Sequence, residues 1–267
     1  MAHPHPVFSR LRAAATTGPI VVAHRGDSRN HPENTLAAFR AATALGVAMQ
    51  EFDVQQNRDG ELFCLHDVSL DRTTDAARVL GPGALLAQTT TAALAQLDAG
   101  AWKGAAHRGE RVPTLAAALQ AMPAPCIAMI EHKAGDPAAF VAAVRTAGRV
   151  DSCLLQSFDW AFVAAVRRLA PEIATALLGP TPQHAVVDDA VVAAAHTLGA
   201  GMVHWDAHAI DHDAVQKAKQ GGLLVCSYTT DDELGWCGGA ALGFDAMCTN
   251  VPARMLGAQQ RGLLRRR

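Results

Sequence analysis

The chain lacks several features that would mark a secreted or membrane protein. Its 267 residues contain no CxxC pair and no run of about 18 uninterrupted apolar residues, the length that a membrane-spanning helix needs. The first 19 residues have no apolar core of the kind found in secretion signals. The six cysteines lie mostly in apolar, strand-like runs, as reduced and buried thiols do. These absences exclude a transmembrane helix and predict a soluble, cytoplasmic protein.

A strong charge of either sign is also absent. The net formal charge is −2, and both signs are scattered along the chain, which argues against nucleic acid or an anionic membrane as a partner. We interpret the basic cluster at 261–267 as a solvated helix end. His3 and His5 could contact a metal, but we expect the N-terminal segment to be a disordered tail.

What the chain does have is a regular alternation of strand and helix patterns. Half of the residues are hydrophobic, enough for one sizeable core. Strands are predicted at 20–23, 49–55, 126–131, 153–157, 174–178, 202–205, 223–228 and 245–248. Ala-rich amphipathic helices are predicted between them, for example at 137–147, 160–169 and 186–198. Repeated strand–helix units of this spacing predict an α/β fold with parallel strands.

The most informative stretch begins at His24 and ends near Thr74. Glu51 and Asp53 are separated by one residue in a strand-like segment, so they project from the same face. The turn Asn57-Arg58-Asp59-Gly60 and the apolar run after it predict an antiparallel hairpin, because a parallel connection would need a dozen or more residues. The hairpin would bring His66 beside the two carboxylates and His24, and two carboxylates on one face suggest a cation.

These residues, with several motifs farther along, resemble the glycerophosphodiester phosphodiesterase family, in its short cytoplasmic bacterial form. The matching motifs cover nearly the whole chain. They are HRG at His24, PENT at Pro32, E-x-D at Glu51, DG at Asp59, HD at His66, RTT at Arg72, PTL at Pro113, IEHK at Ile130, SF at Ser157, YTTDD at Tyr228 and TNVP at Thr249. The resemblance implies a (β/α)8 TIM barrel as a single domain over 1–267, with an insertion at 67–112 over the barrel mouth.

The resemblance also implies the chemistry. The activity would be metal-dependent hydrolysis of a small glycerophosphodiester to glycerol 3-phosphate and an alcohol. Glu51, Asp53 and Glu131 would hold the metal, and an all-oxygen set of this kind selects a hard cation, Mg²⁺ or Ca²⁺. The remaining roles would be acid and base catalysis by His24 and His66, phosphate binding by Arg25 and Lys133, and substrate-pocket lining by Tyr228 and Asp206.

Two positions depart from the family pattern, Tyr228 where Trp is usual and Asn250 where Asp is usual, and both concern the pocket. His132 stands between Glu131 and Lys133 in place of an apolar residue. Strand alternation turns His132 toward the helix layer, so we expect a structural role.

Two alternative functions stay open at this point. A lysophospholipase-D-like activity would need an apolar groove for an acyl chain, yet Leu80, Leu85 and Leu86 are more simply the core of the insertion. A barrel that only binds would not need both histidines and the three carboxylates. The His- and Asp-rich stretch 204–213 imitates a metal site, but its spacing matches no ligand geometry. There we expect Asp211 to cap a helix, and only Asp206 or His204 to reach the mouth.

Overall fold

The structure, a computed structural model, describes residues 5–265 and is built around a closed barrel of eight parallel strands. Each strand pairs with its neighbours in chain order, and the last pairs with the first. An additional strand, β3, is antiparallel to β2. The strands are β1 (Ile20–His24), β2 (Met49–Gln56), β3 (Leu62–Cys64), β4 (Ile127–Ala134), β5 (Cys153–Ser157), β6 (Ala174–Gly179), β7 (Met202–Asp206), β8 (Leu224–Tyr228) and β9 (Ala246–Thr249). The predicted TIM barrel and its eight strands are confirmed.

Helices connect the strands and form the outer layer. They are α1 (Pro6–Ala14), α2 (Leu36–Ala44), α3 (Ala76–Val79), α4 (Thr91–Leu94), α5 (Leu115–Ala121), α6 (Pro137–Thr146), α7 (Trp160–Leu169), α8 (Asp189–Leu198), α9 (His212–Gln220), α10 (Glu233–Leu242) and α11 (Pro252–Gln260). The apolar faces of α2 and α5 to α11 pack on the outward-facing strand residues in one large core. The predicted helix at 186–198 begins later, at Asp189, because Asp188 is its N-cap and accepts a hydrogen bond from the Val191 N–H.

The N-terminal segment differs from the expected disordered tail. Residues Pro6–Ala14 form helix α1, whose Val7, Phe8 and Leu11 are buried in the same cluster as the inward-facing strand residues. His5 caps this helix by accepting a hydrogen bond from the Val7 N–H at 3.2 Å, so it has a structural role. The prediction of a disordered tail was therefore wrong. The apolar side chains of this segment pack against the N-terminal end of the barrel interior, and this contact orders the helix. His3, Arg266 and Arg267 lie outside the described residues.

The hairpin after β2 is confirmed. Val54 pairs with Cys64 and Gln56 with Leu62, and the Asn57 N–H donates to the Glu61 carbonyl at 2.8 Å across the turn. Gly60 has φ of +86°, the left-handed conformation that this turn requires.

The segment 67–112 follows β3 and has a small core of its own. Leu86, Leu94 and Leu97 are buried in it, whereas Leu80 is 41% exposed, so only part of the predicted leucine cluster serves that core. Its remaining structure is α3, α4 and two short 3₁₀ turns.

None of the helices within residues 5–265 combines the length and the apolar character needed to span a bilayer. All six cysteines are free; five are buried, and Cys237 is half-buried.

Candidate active site

The first strand ends in a turn that sets the edge of the site. His24 is the last residue of β1, and Arg25 and Gly26 follow with φ of +57° and +80°. A side chain at Gly26 would come within 2.6 Å of the Ala38 backbone, so glycine is required where α2 approaches the turn. The HRG motif thus places an imidazole and a guanidinium at one strand end.

Three carboxylates from the neighbouring strands β2 and β4 meet inside the barrel. Glu51, Asp53 and Glu131 each offer an oxygen within 4.8 Å of the other two, and all three residues are buried. Asp53 and Glu131 are direct register partners on the neighbouring strands. The predicted ligand set therefore comes together in the structure.

The electrostatics of this acidic triad favour a cation. Burial and the neighbouring Asp53 raise the pKa of Glu51 well above its ordinary value, and the same two causes raise the pKa of Glu131. One Glu51 oxygen, Oε2, has no hydrogen-bond partner in the part of the chain that the structure describes. Buried carboxylate oxygens of this kind fit a hard divalent cation, which would remove their mutual repulsion.

Two cationic side chains flank the acidic triad. Arg25 Nε lies 3.1 Å from Asp53 Oδ2, and Lys133 Nζ lies 2.6 Å from Glu131 Oε1 and 3.5 Å from Asp53 Oδ1. Asn34, which sequence reasoning did not single out, donates to Asp53 Oδ2 at 2.9 Å. Burial alone would raise the pKa of Asp53, but the charges of Arg25, Lys133 and His66 and this hydrogen bond lower it.

His24 has a neutral partner. Its Nδ1 lies 2.7 Å from Asn250 Oδ1, and the Asn250 amide nitrogen donates to Asp231 Oδ2 at 2.7 Å. Because the amide oxygen can only accept, Nδ1 carries the proton and Nε2 is free, 3.8 Å from Glu51 Oε2. Burial and the charge of Arg25 lower the pKa of His24 to about 4.

His66 has a charged partner. It follows β3 in a loop, and its Nδ1 lies 2.6 Å from Asp67 Oδ1. Arg72 contacts Asp67 and also donates to both oxygens of Glu33, at 2.8 and 2.9 Å. The Arg72 hydrogen bonds, with that of His66, hold the pKa of Asp67 well below its usual range.

Two links complete this arrangement. Glu33 accepts from Arg25 at 2.7 Å, so the loop of His66 is tied to the acidic triad through Arg72, Glu33 and Arg25. Gln55 on β2 donates to the Leu65 and Asp67 carbonyls at 2.9 and 2.7 Å and holds the backbone on both sides of His66. The PENT and RTT motifs contain Glu33 and Arg72, but their pairing depends on the fold.

His132 has the structural role expected from strand alternation. Its ring stacks on Phe162 with centroids 3.8 Å apart and meets Phe140 edge-on, both in the helix layer. Its nitrogens lie 3.2 Å from Ser157 Oγ and 3.1 Å from the Gly135 carbonyl oxygen. This prediction is confirmed.

The stretch 204–213 does not form a metal site of its own. Asp211 caps α9, as predicted, by accepting from the Ala214 N–H, and His208 is 90% exposed beside Asp206. His204 is buried inside the barrel, so of the two candidates Asp206, at the end of β7, is the one near the rim. Tyr228 donates to the Gly179 carbonyl at 2.8 Å. The pocket roles of Asp206 and Tyr228 stay predictions.

Sequence comparison places these features in a known family. The sequence profile described as the Glycerophosphoryl diester phosphodiesterase family matches residues 24–254. A glycerophosphodiester phosphodiesterase from Caldanaerobacter subterraneus is 29% identical over 250 residues, which cover 91% of this chain and 98% of that protein. One from Bacillus subtilis is 29% identical over 254 residues, 87% of this chain and 84% of its own length.

Solved structures agree with the sequence comparison. An Oleispira antarctica phosphodiesterase, solved in complex with the product sn-glycerol-3-phosphate, has a TM-score of 0.83 and 29% identity, covering 91% of this chain and 97% of its own. A glycerophosphodiester phosphodiesterase from Agrobacterium tumefaciens has a TM-score of 0.73 and 27% identity, covering 88% and 97% of the two chains.

Proposed function

The chain belongs to the glycerophosphoryl diester phosphodiesterase family and is a phosphodiesterase acting on glycerophosphodiesters, and we propose that it works with a divalent cation and two catalytic histidines. The observation that carries this proposal is that both His24 and His66 lie near the acidic triad. His24 Nε2 faces Glu51, and His66 is close enough for its charge to act on Asp53.

Glu51, Asp53 and Glu131 would hold the cation, Mg²⁺ or Ca²⁺. Their buried oxygens, raised pKa values at the two glutamates and the unpartnered Glu51 Oε2 support this role. A cation held there would supply positive charge to neutralise the phosphate. Lys133 and Arg25 would bind the other phosphate oxygens. Each of these side chains would then give up part of its present contact with a carboxylate for a contact with the phosphate, and Lys133 is 21% exposed.

The two imidazoles would divide the proton transfers. His24, whose Nε2 is free, takes the proton from the attacking oxygen, and His66, backed by a carboxylate, gives a proton to the departing alcohol oxygen. The attacker would be the neighbouring glycerol hydroxyl, which bonds to phosphorus as the bond to the alcohol breaks. Water then opens the cyclic phosphate, with the two histidines in reversed roles, and glycerol 3-phosphate is released.

We also propose that the chain is a single domain, with the segment 67–112 covering part of the mouth. Lys103 of this segment donates to the Ser28 carbonyl at 2.7 Å, and Arg72 donates to the Glu33 carboxylate. Ser28 and Glu33 belong to the loop between β1 and α2, so the segment is attached to that loop at two points. The product complex of the Oleispira antarctica enzyme supports a small-molecule substrate. The six free thiols support a cytoplasmic location.

A lysophospholipase-D-like activity has less support. Leu86 is buried within the core of the segment 67–112, and Leu85 is half-buried beside Leu80. A barrel that only binds would not need a free imidazole nitrogen facing a carboxylate with an unpartnered oxygen.

Metal removal tests the proposal directly. Glycerophosphocholine turnover by the purified chain is expected to disappear after chelation, because the phosphate charge is then opposed only by Arg25 and Lys133. Mg²⁺ or Ca²⁺ should restore it, in parallel with metal content from elemental analysis. Full turnover by protein shown to be metal-free would refute the cation role.

Substrate comparison tests the attack by the glycerol hydroxyl. Choline, ethanolamine and glycerol esters of glycerol 3-phosphate should react with similar kcat/KM, because the alcohol only departs. Bis(p-nitrophenyl) phosphate, which has no neighbouring hydroxyl, should react far more slowly despite its better leaving group. Equal kcat/KM for the two kinds of substrate would contradict this mechanism.

A further inference from the structure

One imidazole and two thiols meet inside the barrel, on strands that carry no residue of the acidic triad. They are His204 on β7, Cys226 on β8 and Cys248 on β9, all buried, with their ligand atoms within 4.8 Å of one another. His204 and Cys226 are direct register partners, and Cys248 Sγ lies 3.4 Å from His204 Nε2. The barrel thus brings together residues that are 44 positions apart in the chain.

The imidazole is oriented as metal-binding histidines are. Gln156 Oε1 lies 2.9 Å from His204 Nδ1, and an amide oxygen can only accept, so Nδ1 donates. The lone pair of Nε2 then points to the side of Cys248. Ligand histidines in proteins are held in this manner by a hydrogen bond to the other ring nitrogen.

We propose that His204, Cys226 and Cys248 form a three-ligand site for a thiophilic cation, Zn²⁺ or Cu⁺, separate from the carboxylate site. Two sulfurs and one imidazole are the donors that such cations select, whereas the acidic triad offers only oxygen. The three ligand atoms lie within 4.8 Å of one another, so small side-chain shifts would bring the two sulfurs to the separation of at most about 4.6 Å that Zn–S bonds of about 2.3 Å allow. A cation there would link three neighbouring strands beneath the mouth.

Binding would exchange protons for the cation. Cysteine binds a metal as the thiolate, so the thiol protons of Cys226 and Cys248 must leave when the metal bonds form. The ring centroids of Tyr228 and His204 are 5.0 Å apart. Tyr228 follows Cys226 by two residues on β8, so it is on the same strand face and nearer the mouth. Because the three ligands are buried, the cation would enter as the barrel folds.

The test is to produce the full chain in medium containing Cd²⁺, a probe whose bonds to thiolate absorb in the ultraviolet. The protein is then exchanged into excess Mg²⁺, which occupies oxygen sites. We expect one equivalent of retained Cd²⁺ and a sulfur-to-metal charge-transfer band in the wild-type chain. Less than about a fifth of an equivalent, or retained Cd²⁺ without the band, would overturn the proposal without bearing on phosphodiester turnover.

Matched variants locate the bound ion. Cys226→Ala, Cys248→Ala and His204→Gln should each lower retained Cd²⁺ at least fivefold. Cys237→Ala removes the half-buried thiol outside the cluster, and Glu131→Gln changes the acidic triad; both should keep the equivalent and the band. If the band disappears with Cys237→Ala instead, the ion is bound at the surface and the proposal is wrong. The wild-type measurement decides the case even where a cluster variant fails to fold.

Discussion

His24 and His66 differ in the element that carries them, in the exposure of the side chain and in the hydrogen-bond partner of Nδ1. His24 ends a barrel strand, its side chain is 17% exposed, and its Nδ1 meets the neutral amide of Asn250. His66 lies in a loop after the hairpin, is 34% exposed, and meets the carboxylate of Asp67. Burial lowers the pKa of His24 and favours its neutral form, whereas the Asp67 carboxylate fixes the orientation of the His66 ring. The comparison supports the proposal that these two residues of the same type have different tasks.

The two surroundings also differ in how they are built. The strand region is held by the barrel itself, through the pairing of His24 with Glu51 on β2 and through Asn250 after β9. The loop region is held by side chains, chiefly Gln55 and Arg72. We expect changes in the loop region to have graded effects, because side-chain contacts at a partly exposed site are screened by water.

The largest expected effect comes from removing either imidazole. His24→Ala and His66→Ala should each lower kcat/KM for glycerophosphocholine by about 10² to 10⁴, the usual contribution of a positioned acid or base. Metal content should be unchanged, because neither residue belongs to the acidic triad. His132→Ala is the control, since its ring packs in the helix layer, and it should keep near-normal kinetics. Near-wild-type rates for both site variants would rule out acid–base catalysis by this pair.

A smaller effect should follow from making the partner of His24 resemble that of His66. Asn250→Asp places a negative charge at His24 Nδ1 and should raise the pKa of His24 from about 4 toward its ordinary value. A base must be unprotonated, so the acid limb of the pH profile of kcat/KM should move to higher pH. A shift of about one pH unit would cost about tenfold on that limb.

The alkaline limb of this variant should stay in place, because it reports on the proton donor. Asn250→Ala is the matched control: it removes the same hydrogen bond without adding charge, and should lower the rate without moving the acid limb upward. If Asn250→Asp leaves the acid limb unmoved, a group other than His24 is the base.

Much of this site was predictable because its determinants are local. Residue alternation along a strand placed Glu51, Asp53 and Glu131 inward and His132 outward, and the Asp59-Gly60 turn predicted the hairpin that brings His66 back. Helix α1 was missed because its few apolar residues gain their burial only from the open end of a finished barrel. The His204, Cys226 and Cys248 cluster and the Asp231–Asn250–His24 contacts were missed for a related reason, since strand closure creates them.

The smallest expected effect tests the side-chain support of His66. Arg72 joins Asp67 to Glu33, so Arg72→Ala frees the carboxylate that orients the imidazole. Arg72 is 45% exposed, and its ion pairs are therefore partly screened. We expect kcat to fall about threefold to tenfold with little change in metal affinity, because misorientation of a positioned acid is partial.

Arg78 offers a matched control in the same segment. It also pairs with an aspartate, Asp75, but it is 76% exposed and its partner contacts neither histidine. Arg78→Ala should leave kcat unchanged, and Arg72→Lys, which keeps the charge but not the planar fork, should recover only part of the loss. If Arg72→Ala and Arg78→Ala lower kcat equally, the loss of kcat would reflect lower stability of the whole segment 67–112 and not the specific contacts of Arg72. An effect confined to Arg72 would mean that the contacts among Arg72, Asp67 and Glu33 keep His66 in place, as the strand keeps His24.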